Sequence, residues 1–142
     1  MPDEGLERFV IAQAATYDDA LAELRGGRKV GHWIWWILPQ LRGLGTSETS
    51  WRFGLAGIEE ARAYLAHSVL GPRLREALEA VLGHADRGPT SVLGADAVKL
   101  RSCATLFSLA APSDPLFRRV LKELFADEAD PRTTELVRRA TP

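Results

Sequence analysis

Apolar positions along the chain recur mostly at helical spacing. Between Glu4 and Leu24 the residues Leu6, Phe9, Val10, Tyr17, Leu21 and Leu24 keep the three-to-four-residue rhythm of one helix face. The rhythm predicts a helix to about Gln13 and another from Tyr17 to Arg25, the second opened by a capping box of Thr16 and Asp19 and closed by Gly26 and Gly27. Ile58, Ala61, Tyr64 and Leu65 form a stripe on a helix reaching His67, and Pro72 suits the first turn of a following helix that ends at Gly83. After a polar loop from His84 to Pro89, Asp96 is placed to cap a helix carrying Val98, Leu100, Cys103, Leu106, Phe107 and Ala110. Asp114-Pro115 and Asp130-Pro131 pair an N-cap with a first-turn proline and open two more helices, the last fraying near Pro142.

Two stretches break the rhythm. Residues 29–40 are so continuously apolar that a buried helical turn and a buried strand fit equally well. Residues 40–57 hold four glycines among Thr and Ser, which reads as a loop with one short helix around Glu48 to Phe53 and as the main mobile region inside the chain. Strand signals are otherwise nearly absent, and there is no repeat or linker. The pattern predicts one all-α domain over residues 1–142, a compact bundle of about six to eight short helices.

Composition narrows the function classes. Lys and Arg number 18 against 19 for Asp and Glu, a net charge of −1, so no global charge favours nucleic acid or an anionic membrane. Hydrophobic residues at 46% and charged residues at 26% give ordinary globular values. Cys103 is the only cysteine, so no intrachain disulfide forms; within its apolar pattern it reads as an inert core thiol. No apolar run reaches membrane-span length, and the acidic start Met-Pro-Asp-Glu-Gly is unlike a secretory signal, so the expected location is cytoplasmic. The glycines lack the context of phosphate loops or dinucleotide fingerprints. His32, His67 and His84 are too far apart to share a helical face as metal ligands, so no metal and no cofactor is expected.

The candidate chemistry lies in two constellations. In the first, Lys29-Val-Gly-His-Trp-Ile-Trp-Trp-Ile-Leu-Pro-Gln40, three of the four tryptophans fall within four positions. Buried indoles need partners for their N–H groups, so such a cluster is either a core anchor or a flat ligand wall. At helical spacing Trp33 and Trp36 share a face and Trp35 turns away, with at least one of the three reaching the surface. His32, titrating near neutrality, is the acid–base candidate, against a structural hydrogen-bonding role. Lys29, with Arg28 and Arg42 around the segment, can hold a phosphate or carboxylate; a solvated rim is the plainer reading, above all for Arg28. In the second constellation Lys99, Ser102 and Thr105 recur every three residues and give the late apolar helix a polar edge. The competing reading has the hydroxyls bonding carbonyls one turn back and Lys99 reaching water.

Lys29, Gly31 to Gln40, Gly43-Leu-Gly45, Glu60 to Leu65, His67, Val69 to Leu74 and Lys99 to Phe107 together resemble a small bacterial family of unknown function, sometimes mislabelled "calpastatin". The resemblance spans nearly the whole chain and implies a compact all-α fold with no established activity. The family pattern usually carries Ser at Gly31, Pro at Ser68 and Ser-Met at Cys103-Ala104. Lys29, His32, Trp33, Gln40, Lys99, Ser102 and Thr105 match it.

Two functional expectations follow. In one, the protein binds a small anionic ligand of nucleotide or sugar-phosphate type, with hydrolysis or transfer as a further step. Trp33 or Trp36 would stack, Lys29 and Lys99 would neutralise charge, and Gln40, Ser102 and Thr105 would add polar contacts. In the other, it is a non-catalytic protein-interaction module anchored by an exposed Trp. The first predicts that the two constellations meet, with Lys99, Ser102 or Thr105 approaching His32, Trp33 or Gln40.

Overall fold

In the computed structural model residues 5–140 are described. The acidic start at Met1 to Glu4 and the expected fraying at Pro142 lie outside them. Seven helices of eight or more residues carry the fold: α1 (Glu7–Ala14), α2 (Tyr17–Arg25), α5 (Ile58–Ala66), α6 (Leu70–Leu82), α8 (Ala97–Ala110), α9 (Pro115–Leu124) and α10 (Pro131–Ala140). Three helices of four or five residues, α3 (Ile34–Ile37), α4 (Glu48–Arg52) and α7 (Pro89–Leu93), sit in the connections. A 3-10 turn at Ala85–Arg87 and α7 break up the expected polar loop. The domain is all-α, and no helix among the described residues is long and apolar enough to cross a membrane.

α8 is the axis. It packs against α5, α9 and α10, and Leu100, Cys103, Ala104, Leu106 and Phe107 are fully enclosed. A run of aromatic rings, Phe53, Phe9, Tyr64, Phe107 and Phe117, crosses the core with centroids 5.2 to 5.8 Å apart. Each such pair adds roughly 0.5–1.5 kcal/mol beyond its buried area. Burial pushes the Cys103 thiol well above its ordinary titration range, in keeping with an inert core role.

Residues 40–57, expected to be the main mobile region, are tied to the rest of the fold at both ends. Leu41 and Leu55 form an isolated parallel bridge: Arg42 N donates to Leu55 O (2.8 Å) and Leu55 N to Gln40 O (2.9 Å). Gly54 allows this approach, since a Cβ there would lie 2.6 Å from Arg42 Cα. Arg8, 2% exposed, reaches in from α1 to donate to Arg52 O (2.6 Å) and Gly54 O (2.9 Å), and it pairs with Glu60 at 3.0 Å. A buried guanidinium satisfied by carbonyls in this way organises a loop that its glycine content describes as loose.

Two capping expectations fail for a common reason. Thr16 makes no side-chain cap to α2; its hydroxyl donates to Ala12 O (2.8 Å) and accepts from Trp36 Nε1 (2.9 Å). Asp96 makes no side-chain cap to α8, because its carboxylate is held by two lysines. Asp114 does cap α9 through Leu116 N (3.1 Å), and Asp130 caps α10 through Thr133 N (3.0 Å). At Thr16 and Asp96 other side-chain partners take the oxygen that would have capped the helix.

Candidate functional site

The loop between α2 and α3 is shaped by a carboxylate. Glu23, on the last turns of α2, accepts at Oε1 from Val30 N (2.6 Å), Gly31 N (2.8 Å) and Trp33 Nε1 (3.0 Å). Partial burial disfavours its charge, but these hydrogen bonds win and hold the carboxyl below its ordinary range. The loop therefore folds back over Trp33, which is 2% exposed. Gly31 lies against the indole: a Cβ there would come within 2.8 Å of Trp33 Cδ1.

The same fold brings Lys29 inward. Its backbone N donates to Val92 O (2.7 Å), and its ammonium lies 2.9 Å from Asp96 Oδ2, 4.9 Å over the Trp33 ring and within hydrogen-bonding reach of Gly31 O. Lys99, one turn into α8, is 2.9 Å from Asp96 Oδ1 and 4.6 Å over the Trp35 ring. One carboxylate thus grips two ammonium groups, each stacked on its own indole. Burial works against ionised Asp96, yet the hydrogen bonds and charges of Lys29 and Lys99 outweigh it and lower its titration. Side-chain exposure rises from 8% at Lys29 through 20% at Asp96 to 32% at Lys99, so Lys99 is the group a solute meets.

The two segments meet, but through a pair other than those expected: Lys99 lies on Trp35, and neither it nor Ser102 nor Thr105 bonds to His32, Trp33 or Gln40 among the described residues. Lys99 approaches the tryptophan segment at Trp35 and, through Asp96, at Lys29. Ser102 and Thr105 turn elsewhere: Ser102 bonds Val98 O and Asp130 Oδ2, both at 3.2 Å, while Thr105 donates to Arg101 O and accepts from Asp130 N, both at 2.8 Å. Their polar edge docks α10 onto α8. Trp33 and Trp36 do not form one wall, because Trp33 sits at the N-cap with non-helical backbone angles and helical spacing does not apply to it. Trp36 instead packs on Phe53, centroids 5.2 Å apart. Gln40 is buried, and its Nε2 has no hydrogen-bond partner among the described residues. His32 is solvent-exposed, with no side-chain partner among them.

Sequence reasoning missed Asp96 as a charge centre, Glu23 as the loop organiser and Trp35 as a lysine platform. For Asp96 the signal was its i,i+3 spacing to Lys99; Glu23 left none. Also missed was Trp51, 62% exposed, with the Arg42 guanidinium 4.8 Å above its ring. It is the exposed tryptophan of this protein, whereas Trp35 and Trp36 are half-buried.

A family model described as "Protein of unknown function (DUF1810)" matches residues 3–137, and the chain belongs to that family. It is similar to the conserved hypothetical protein Rv1873 from Mycobacterium tuberculosis, whose crystal structure superimposes with a TM-score of 0.91 at 43% identity over 94% of this chain and 96% of that one. No curated protein matches. The fold and family expected from the resemblance are thus shown, and neither the family description nor the relative's name states an activity.

Proposed function

We propose that the protein binds a small anion bearing a phosphate or carboxylate at the Lys29–Asp96–Lys99 cluster. The observation that carries this reading is the convergence of two lysines on one carboxylate between two indole rings. Two ammonium groups against one carboxylate leave a positive surplus on the outer, Lys99 side, beside the half-buried Trp35. Lys99 contacts the ligand. Lys29, with its ammonium occupied by Asp96, Gly31 O and the Trp33 ring, acts through Asp96 by holding the carboxylate in place. The reading is one of binding, since His32 has no described partner to orient or activate it as an acid or base.

Thermal-shift titration with inorganic phosphate, pyrophosphate and AMP tests it. Stabilisation by at least one of these is expected, and it should vanish in Lys99→Ala and persist in Ser102→Ala, whose hydroxyl serves α10. No shift with any of the three, or an undiminished shift in Lys99→Ala, contradicts the assignment.

A further inference from the structure

A second surface shares none of its lining residues with the lysine cluster. The α5 N-terminus, the C-terminal half of α8 and the Leu136, Val137 and Ala140 side of α10 line an open groove of about 920 Å³, walled by Leu41, Ile58, Leu109, Leu136 and Val137. This is at the upper end of the roughly 300–1,000 Å³ typical of ligand pockets. Arg42 and Arg62 stand at its rim, with Glu59 and Glu60. Arg42 also links the groove to Trp51: its guanidinium covers the exposed ring and its Nε donates to Trp51 O (2.9 Å). The apolar surface therefore continues outside the cavity onto an indole.

The charges around this surface are unequal. Glu60 is neutralised by the buried Arg8, and Glu59 pairs with Arg62 at 3.1 Å. Arg42 has no carboxylate partner among the described residues, although its side chain is already ordered by Trp51. A planar, pre-positioned guanidinium on an aromatic face is suited to bidentate capture of a carboxylate.

We infer that this groove docks an acidic, apolar peptide segment of a partner protein. Apolar side chains would enter between Ile58, Leu109 and Leu136, and a Glu or Asp would pair with Arg42 beside Trp51. The exposed indole outside the cavity favours a peptide over a small amphipathic acid, since an occupant confined to the groove would leave Trp51 uncovered. Large aromatic and Arg side chains at the edge of an apolar hollow are the composition of interface anchors.

Fluorescence anisotropy with two sets of labelled peptides tests the inference. One set combines Leu and Phe with Glu, and the other is identical with Lys in place of Glu. The Glu set is expected to bind at least tenfold more tightly than the Lys set, with tenfold weakening in Arg42→Ala and in Trp51→Ala. Both substitutions remove side-chain atoms outside the core, and circular dichroism of each variant confirms that it is folded. Lysine-cluster variants such as Lys99→Ala should bind the peptides normally, which separates this surface from the anion site. The inference is overturned if neither set binds, if both bind equally, if Arg42→Ala binds unchanged, or if anionic phospholipid vesicles or octanoate outcompete the peptides.

Discussion

Aspartates precede α8, α9 and α10, and those at α8 and α10 do different work. At the start of α10, Asp130 behaves as its sequence suggests: its carboxylate accepts from Thr133 N at 3.0 Å and reaches Ser102 at 3.2 Å, stitching the helix to α8. At the start of α8, Asp96 leaves the helix without a side-chain cap and gives its oxygens to Lys29 and Lys99 at 2.9 Å each. A helix that forgoes a cap worth about 1 kcal/mol so that a carboxylate can hold two cations is a local departure of the kind found at functional sites. The polar edge of α8 is thus divided. Its first turn serves the charge cluster, while Ser102 and Thr105 serve packing.

The largest effect is expected at the uncapped end. Asp96→Ala leaves the Lys29 ammonium, 8% exposed, without its counter-ion and should destabilise the fold by about 3 kcal/mol in urea unfolding, with Lys99 turning to water. At the capped end, Asp130→Ala should cost about 1–2 kcal/mol, the ordinary value of a lost cap with its hydroxyl partners. Equal losses at the two sites would erase the distinction drawn between them.

Acid sharpens the comparison. Asp96 titrates below its ordinary range when folded, so its contribution is present above the unfolded value of about 3.9 and is lost as pH falls through the lower, folded value. The pairing of Asp114 with Arg75 acts in the same direction. Stability should therefore decline as pH drops from about 5 toward 2, and Asp96→Asn should flatten part of that decline in pH-dependent thermal melts. A profile identical to wild type would show that the pairing with the lysines adds nothing to folding. The smallest effect belongs to His32→Ala, within about 0.5 kcal/mol, because the side chain is exposed. A larger loss would reveal a structural partner for His32.

Much of the fold was legible in the sequence, and the reasons are local. The apolar stripes of α2, α5 and α8 and the Asp-Pro openings of α9 and α10 depend on neighbours within one or two turns, which pattern and capping rules describe. The misplaced features all depend on partners distant in the chain. Arg8, which no local pattern marks out, is buried by carbonyls more than forty residues away. Thr16 reads as a cap, yet the Trp36 indole claims it. The candidate site was half legible. Lys29 and Lys99 were recognisable as cations, but the carboxylate joining them resembled any N-cap. Ser102 and Thr105 were grouped with Lys99 by spacing, although Asp130 takes their hydroxyls.

The central claim is that the Lys29–Asp96–Lys99 cluster, with Trp35 beside it, is an anion site distinct from the Trp51 surface. Its most direct test is an NMR titration with pyrophosphate that follows the four indole N–H resonances. The Trp35 signal should move saturably, with a smaller response at Trp33 and none at Trp51, and the movement should disappear in Lys99→Ala. A Trp35 resonance that stays fixed, or one that moves equally in Lys99→Ala, would contradict the account.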